Sequence, residues 1–198
     1  AAPPGAPARR AGSPGRARRA RAGVQDGADM VLSTSADGWT ASTPLDALTD
    51  PDRASLLAVG MNGEALPAEH GFPARLVVPG LYGYVSATKW VTELKVTTFA
   101  DDVAYWSTRG WSERGPIKLA SRVDTPRDGA AVDAGDVVVA GVAWAQHTGV
   151  EGVEVRVDDG PWRAATLAAP VGPDTWRPGS CAWAATPGAR RRAGGGRA

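Results

Sequence analysis

A single cysteine, Cys181, stands in 198 residues. It can close no intrachain disulfide and build no cysteine-rich metal cage. There are two histidines, His70 and His147, and they fall in different predicted domains. A zinc site built on histidine would need both, with carboxylates, in one place. No apolar run approaches the roughly 20 residues that span a bilayer, so no membrane segment is expected in this chain. The Arg-rich start has no apolar segment behind it and is not a complete secretory signal. No compartment is read from this; if the parent is extracytoplasmic or membrane-anchored, the segment responsible belongs to an N-terminal part outside the chain. No G-x-S-x-G is present to hold a hydrolase serine. No G-x-G-x-x-G follows a strand, and there is no P-loop.

What is present favours turns and strands over long helices: 25 glycines and 16 prolines. The formal net charge of +1 hides an asymmetry. Residues 1–22 carry six arginines and no acid, and residues 188–198 carry four arginines and no acid. Between them lie 12 basic and 21 acidic residues. Such a negative core does not suit nucleic acid, whose phosphates are met by a basic face. Arginine in an Ala/Pro/Gly background reads as a disordered tail at either end, 1–23 and 188–198.

From Val24 the texture changes. Residues 38–67 read as a loop, a short helix over 44–49, a strand over 56–59, and an Asn62-Gly63 turn with a short return. Ser42 or Thr43 would start the helix, with Pro44 at its first position. Asp50-Pro51 would end it, because the residue before proline avoids the helical region. A strand over 74–78, a loop over 79–88 and an alternating strand over 90–98 follow. Residues 99–117 look like an extended connector. From 118 to 187, short strands divided by turn signals suggest a β-sandwich. Asp158-Asp159-Gly160-Pro161 marks a hairpin between 152–157 and 162–167. From Pro178 the alternation fades, and a missing last strand would leave an open sheet edge.

The residues best suited to chemistry lie in EHGFPARLVVPGLYGYVSATKW, 69–90. His70, Arg75 and Lys89 flank an apolar strand and a Gly-containing loop. Arginine and lysine suit anions, one as a planar fork and the other as a point charge. Glycines let backbone N–H groups approach a ligand, and the Ser86 and Thr88 hydroxyls add donors. Read this way, the stretch cradles a phosphorylated group. Read otherwise, it is decorated core: His70 packs on Phe72 and Pro73, Arg75 pairs with Glu69, and Lys89 is solvated. Spacing alone leaves both open.

The longer string LLAVGMNGEALPAEHGFPARLVVPGLYGYVSATKW, 56–90, resembles the cofactor domain of the sulfite oxidase family of molybdenum-cofactor-dependent oxidoreductases. The resemblance rests on a Met-Asn-Gly-Glu-x-Leu-Pro turn, a His-Gly-Phe-Pro-x-Arg corner, a Val-Pro-Gly segment and a loop ending in Lys-Trp. It extends through DGWTASTPL (37–45), YW (105–106), GPIK (115–118) and SRVDTP (121–126). It continues into VAGVAWAQHTGVEGVEVRVDDGPW (139–162), which resembles the family's C-terminal immunoglobulin-like dimerisation domain.

The resemblance implies a mixed α+β partial molybdopterin-binding domain over 24–98, then an all-β immunoglobulin-like sandwich over 118–187 that makes a homodimer. The implied cofactor is molybdenum–molybdopterin, and the implied activity is transfer of an oxygen atom and two electrons to or from a small oxyanion or sulfoxide. By position, His70, Arg75, Ala87, Thr88 and Lys89 are the implied cofactor contacts. Asp37 approaches the same cavity, and Trp39 stands where animal members carry a substrate-side tyrosine. The family holds molybdenum through a cysteine thiolate in the first half of the cofactor domain. Cys181 lies in the C-terminal domain and is not that ligand, so no metal ligand is assigned. The chain is therefore expected to be a C-terminal fragment of a longer oxidoreductase, inactive alone, with ends that fit a shifted reading frame. No haem-binding sequence is evident, and the electron acceptor is unknown. The rival reading is a non-catalytic self-association module carrying a remnant cofactor domain.

Overall fold

The computed structural model describes residues 10–14 and 24–197, in two compact units that divide between Ile117 and Lys118. In chain order the first unit holds β1 (Arg10–Pro14), β2 (Met30–Ser35), β3 (Thr40–Pro44), helix α1 (Leu45–Thr49), β4 (Leu56–Met61) and β5 (Glu64–Ala65). A 3-10 turn (Ala68–His70), β6 (Arg75–Val77), helix α2 (Gly83–Ser86) and β7 (Val91–Thr97) follow, with a second 3-10 turn at Ser107–Arg109. The α content expected of a mixed α+β unit is confined to α1 and α2, and the unit is mostly β.

Its strands form two antiparallel sheets. In one, β2 lies between β3 and β7; in the other, β4 pairs β1 along one register and β5 and β6 along others. Asn62 (φ 56°) and Gly63 (φ 89°) turn β4 into β5, and both central residues of that turn need positive φ. Val31, Leu45, Leu48, Leu76, Val78 and Val85 bury their side chains in one core, with Leu94 and Val96 of β7 packed against it.

Strands β2 and β3 cover 30–35 and 40–44, where the sequence suggested no strand and a loop. Their serines and threonines hide the apolar pattern yet are buried, because each hydroxyl finds a partner. Ser33 meets Thr88 at 2.7 Å, Ser42 donates to the Glu113 carbonyl at 3.2 Å, and Thr43 donates to the Val85 carbonyl at 2.6 Å. A hydroxyl satisfied in this way carries little desolvation penalty. Ser42 and Thr43 are therefore not helix caps: α1 begins after Pro44 with no side-chain cap and stops at Asp50, before Pro51.

The expectation of an unstructured start is also corrected at 10–14. There β1 aligns Arg10 with Met61 and Gly12 with Ala58. A side chain at Gly12 would run into the Leu57 carbonyl oxygen, so the close approach of the strands requires glycine. The rest of the predicted N-terminal tail lies outside the described residues.

The second unit holds β8 (Ala120–Thr125), β9 (Gly135–Trp144), β10 (Gly152–Val157), β11 (Arg163–Ala164), β12 (Thr166–Leu167), β13 (Arg177–Ala185) and β14 (Arg192–Arg197). One sheet runs β12-β13-β9-β8 and the other β11-β10-β14, all antiparallel. Ala143, Ala145 and Val150 are buried together, with Val153 and Leu167 against them. Asp158 at φ 51° opens the turn after β10, at the predicted hairpin.

The expected loss of closing strands is overturned. β13 pairs along its whole length with β9, from Arg177↔Ala143 to Ala185↔Gly135. The supposed tail 192–197 pairs with β10 from Arg197↔Gly152 to Arg192↔Val157. Ladder hydrogen bonds come from the backbone, so a strand of Arg, Ala and Gly can pair without an alternating apolar pattern.

Candidate functional site

The 69–90 stretch forms a corner closed by backbone bonds. His70 N–H and Phe72 N–H both donate to the Pro67 carbonyl, at 3.0 and 3.2 Å. Beyond the corner the chain runs beside its own later segment: Leu76 N–H donates to the Thr88 carbonyl, Val91 N–H to the Ala74 carbonyl, and Trp90 N–H to the Gly71 carbonyl. This pairing brings the two ends of the motif together. Gly71 lies buried at the crossing with φ 108°, in the region that favours glycine.

Arg75 spans the corner. Its Nη1 donates to the His70 carbonyl at 3.2 Å and its Nη2 to the Ala87 carbonyl at 3.4 Å. Its Nε is buried with no partner. Burial, and then the charge of Arg10, push the Arg75 pKa below the ordinary guanidinium value. Arg75 does not pair with Glu69. The Glu69 carboxylate instead lies 3.9 Å from His70 Nε2, and the His70 side chain is 43% exposed.

Lys89 lies across Gly71 from Arg75. Its Nζ donates to the Glu69 carbonyl at 3.0 Å and stands 4.4 Å from the centre of the Trp90 ring. Trp90 Nε1 in turn donates to the Ala68 carbonyl at 2.7 Å. Ala36 N–H donates to the Trp90 carbonyl, which places the β2–β3 turn against the motif. On that turn Asp37 accepts from Trp39 N–H at 3.1 Å. That bond, then one from Ser35, and more weakly the Lys89 charge, hold the Asp37 pKa below its usual value. Trp39 is half-buried beside it, its carbonyl taking the Ser35 N–H.

The fold thus gathers His70, Arg75, Ala87 and Lys89 at one corner, with Asp37 and Trp39 on the adjoining turn. Thr88 is different. It is fully buried, and its hydroxyl is held by Ser33. Ser86 also turns inward, donating to the Leu81 and Tyr82 carbonyls. Neither hydroxyl is offered to a ligand, which corrects the expectation of a hydroxyl-lined cradle. What the corner offers is donors: a half-buried guanidinium whose Nε–H is buried without a partner, a lysine and an imidazole. Sequence reasoning missed Arg10, whose charge reaches Arg75, because nothing in an Ala/Pro/Arg run signals a strand. It also missed Ser33, whose role depends on a contact 55 residues away.

Cys181 belongs to the second unit, on β13, and the first unit has no cysteine. Among the described residues no three His, Cys, Asp or Glu side chains are grouped to hold a metal ion. No helix among them is long and apolar enough to cross a membrane. His147 is on the second unit with its Nδ1 3.2 Å from Asp174.

Residues 11–106 match the model of the oxidoreductase molybdopterin binding domain. Mouse mitochondrial sulfite oxidase is 34% identical over 148 residues, covering 65% of this chain and 27% of that protein. The uncharacterized oxidoreductase YuiH of Bacillus subtilis is 40% identical over 95 residues, 48% of this chain and 46% of that protein. Among solved structures, the sulfane dehydrogenase SoxCD of Paracoccus pantotrophus aligns with a TM-score of 0.67 and 27% identity, over 87% of this chain and 47% of that one. The chain thus spans less than half the length of each of these relatives.

Proposed function

We infer that this chain, which belongs to the sulfite-oxidase-like family of molybdopterin oxidoreductases, supplies one wall of a molybdopterin pocket. Arg75 carries the reading. Its guanidinium is fixed by two carbonyls and keeps a buried, unused Nε–H. A buried donor without a partner costs about 1–3 kcal/mol, and an anionic ligand removes that cost. His70 and Lys89 add donors at the same corner, Ala87 and Thr88 line it through their backbone, and Asp37 with Trp39 edge it.

These residues fit the anionic, pterin side of the group. They do not fit its metal side, for the first unit offers no thiol, and a thiolate is the ligand type that suits this soft centre. When bound, the group supplies oxygen-atom and two-electron transfer. The substrate class we assign to a protein holding the whole pocket is a small oxyanion or sulfoxide, with electrons passed to a separate acceptor. The chain by itself is inactive in this reading, a part of a larger oxidoreductase.

We assign the second unit an immunoglobulin-like role as a homodimer contact. Strand β9 is apolar on both faces, and Val138, paired with Ala182, is 58% exposed. A protein that dimerises but retains no pterin would favour the rival reading of a non-catalytic self-association module.

The test is cofactor content. Chain expressed in a molybdopterin-producing host is denatured, and its released pterin fluorescence and its molybdenum are measured. Retained pterin with far less than one molybdenum per chain is expected. Absence of pterin would overturn the pocket assignment, and molybdenum near one per chain would overturn inactivity.

A further inference from the structure

The last residues of the first unit, 111–117, are bonded to two separate elements. They meet α2 and the residues before it: Tyr82 N–H donates to the Gly115 carbonyl at 2.7 Å, Ile117 N–H to the Gly80 carbonyl at 3.0 Å, and the Tyr84 hydroxyl to the Ser112 carbonyl at 2.9 Å. They also meet β3, where the buried Ser42 hydroxyl donates to the Glu113 carbonyl at 3.2 Å. A little upstream, Tyr105 N–H donates to the Thr40 hydroxyl at 3.1 Å. Trp111 stands edge-on to Tyr84 with ring centres 4.9 Å apart, and its ring lies 4.9 Å from that of Trp106. It is 51% exposed, so ring contacts more than burial hold it there. Gly115, at φ 44°, is buried against α2, and a Cβ built on it would lie 2.8 Å from Val85 Cγ2.

Two successive carbonyls, of Ser112 and Glu113, thus take one hydroxyl from α2 and one from β3. Those elements carry the two parts of the proposed pocket wall. Helix α2 runs directly into Ala87, Thr88 and Lys89, and Ala87 N–H closes it on the Gly83 carbonyl. Strand β3 begins at Thr40, straight after Asp37 and Trp39. The two parts also meet directly, through Ala36 N–H on the Trp90 carbonyl and Ser33 on Thr88. A binding site keeps its geometry only as well as the hydrogen bonds and packing around it hold.

We propose that residues 105–117 form a clamp that sets the spacing of the Asp37–Trp39 turn from the Ala87–Lys89 loop, with Tyr84 as its positioning residue. The Tyr84 phenol holds Ser112 and its ring seats Trp111, so it acts through the clamp and not on a ligand. The clamp rests on these contacts alone. Its effect on cofactor retention rests on the proposed function.

The experiment compares amide hydrogen exchange in the purified full chain and in Tyr84→Phe, which keeps the ring and removes the phenol bond. Ala36 and Ala87 report on the two parts of the wall. Exchange at both should quicken by roughly threefold or more while the amides of β4 hold their rates, as a local opening requires. Ser42→Ala should give the same pattern from the other element. Trp111→Phe keeps an edge contact and should stay near the unaltered chain, whereas Trp111→Ser should show the opening. Ser55→Ala, which removes a buried bond to the Ala47 carbonyl away from the clamp, should not single out these two amides. Unchanged exchange in Tyr84→Phe, equal quickening throughout the first unit, or the same pattern in Ser55→Ala would each overturn the clamp.

Released pterin separates the clamp from the cofactor reading. Where the unaltered chain retains pterin, Tyr84→Phe should retain clearly less with Tm almost unchanged, and equal retention would overturn the positioning role. Exchange that follows the clamp pattern in a chain that never retains pterin would keep the clamp and overturn the cofactor reading.

Discussion

Gly71 is the spacer between Arg75 and Lys89. A Cβ built on it would lie 2.9 Å from the Arg75 Cβ and 3.0 Å from the Lys89 Cβ. Both contacts are to side-chain roots, which cannot swing away. The roots of the Arg75 and Lys89 side chains therefore both pack against Gly71, and only glycine fits between them. Gly71→Ala adds this clash to a φ of 108°, a conformation that costs an alanine about 1–3 kcal/mol. Urea denaturation should show a loss of at least that size, together with less released pterin.

Thr88 and Ser33 form a buried hydroxyl pair at 2.7 Å that ties β2 to the loop before β7. Thr88→Val keeps the shape and removes one partner. Ser33 retains its bond to the Ala41 carbonyl at 3.3 Å, so the loss should be modest, about 1 kcal/mol. The double variant Thr88→Val with Ser33→Ala should lose less than the sum of the single losses, because both remove the same bond. Strict additivity in denaturation midpoints would contradict the pairing.

Asp102 and Lys95 give the first unit a pH signature. Lys95 Nζ donates to both Asp102 oxygens, at 2.9 and 2.7 Å, and Thr97 adds a third bond. The Lys95 and Thr97 hydrogen bonds hold the Asp102 pKa below its ordinary 3.8. Its stabilising effect is therefore complete above that value and is lost as pH falls below it. The Asp102 hydrogen bond holds the Lys95 pKa above its ordinary 10.5, so its effect is complete below that value and is lost as pH rises further. Asp102→Asn should flatten the stability profile at both extremes while changing its shape little near neutrality. A profile of Tm against pH checks it.

Gly141 marks the tightest approach in the second unit. A side chain there would run into the Arg122 carbonyl oxygen, across the β8–β9 ladder. Gly141→Val should destabilise the second unit by more than the about 1–3 kcal/mol typical of overpacking, because the obstructing atom is backbone. Hydrogen exchange should show β8 losing protection before β13, whose pairing with β9 lies on the opposite edge.

Much of the candidate site was readable along the chain. His70, Gly71, Arg75 and Lys89 fall within 20 residues, so a local motif can specify their meeting. What the motif could not reveal was which groups face outward. Thr88 and Ser86 look like ligand donors in a Gly-rich loop, yet the core takes both hydroxyls. Arg10 is missed for the opposite reason, since its importance comes from a strand partner 51 positions later, at Met61.

The sequence by itself determined the elements whose chemistry is local. Asn62-Gly63 and Asp158 mark turns because few residues accept positive φ. The helix over 45–49 stops before Pro51, and β7 and β10 follow their alternation of apolar and polar residues. Only the tertiary structure decided the rest. Strands β2 and β3 carry too many hydroxyls to advertise burial, and they become core once distant carbonyls and hydroxyls satisfy them. Strands β1, β13 and β14 pair through backbone groups that every residue but proline carries alike. Pairing between distant segments leaves no trace in composition, because the backbone donors and acceptors that make it are the same whatever side chains accompany them.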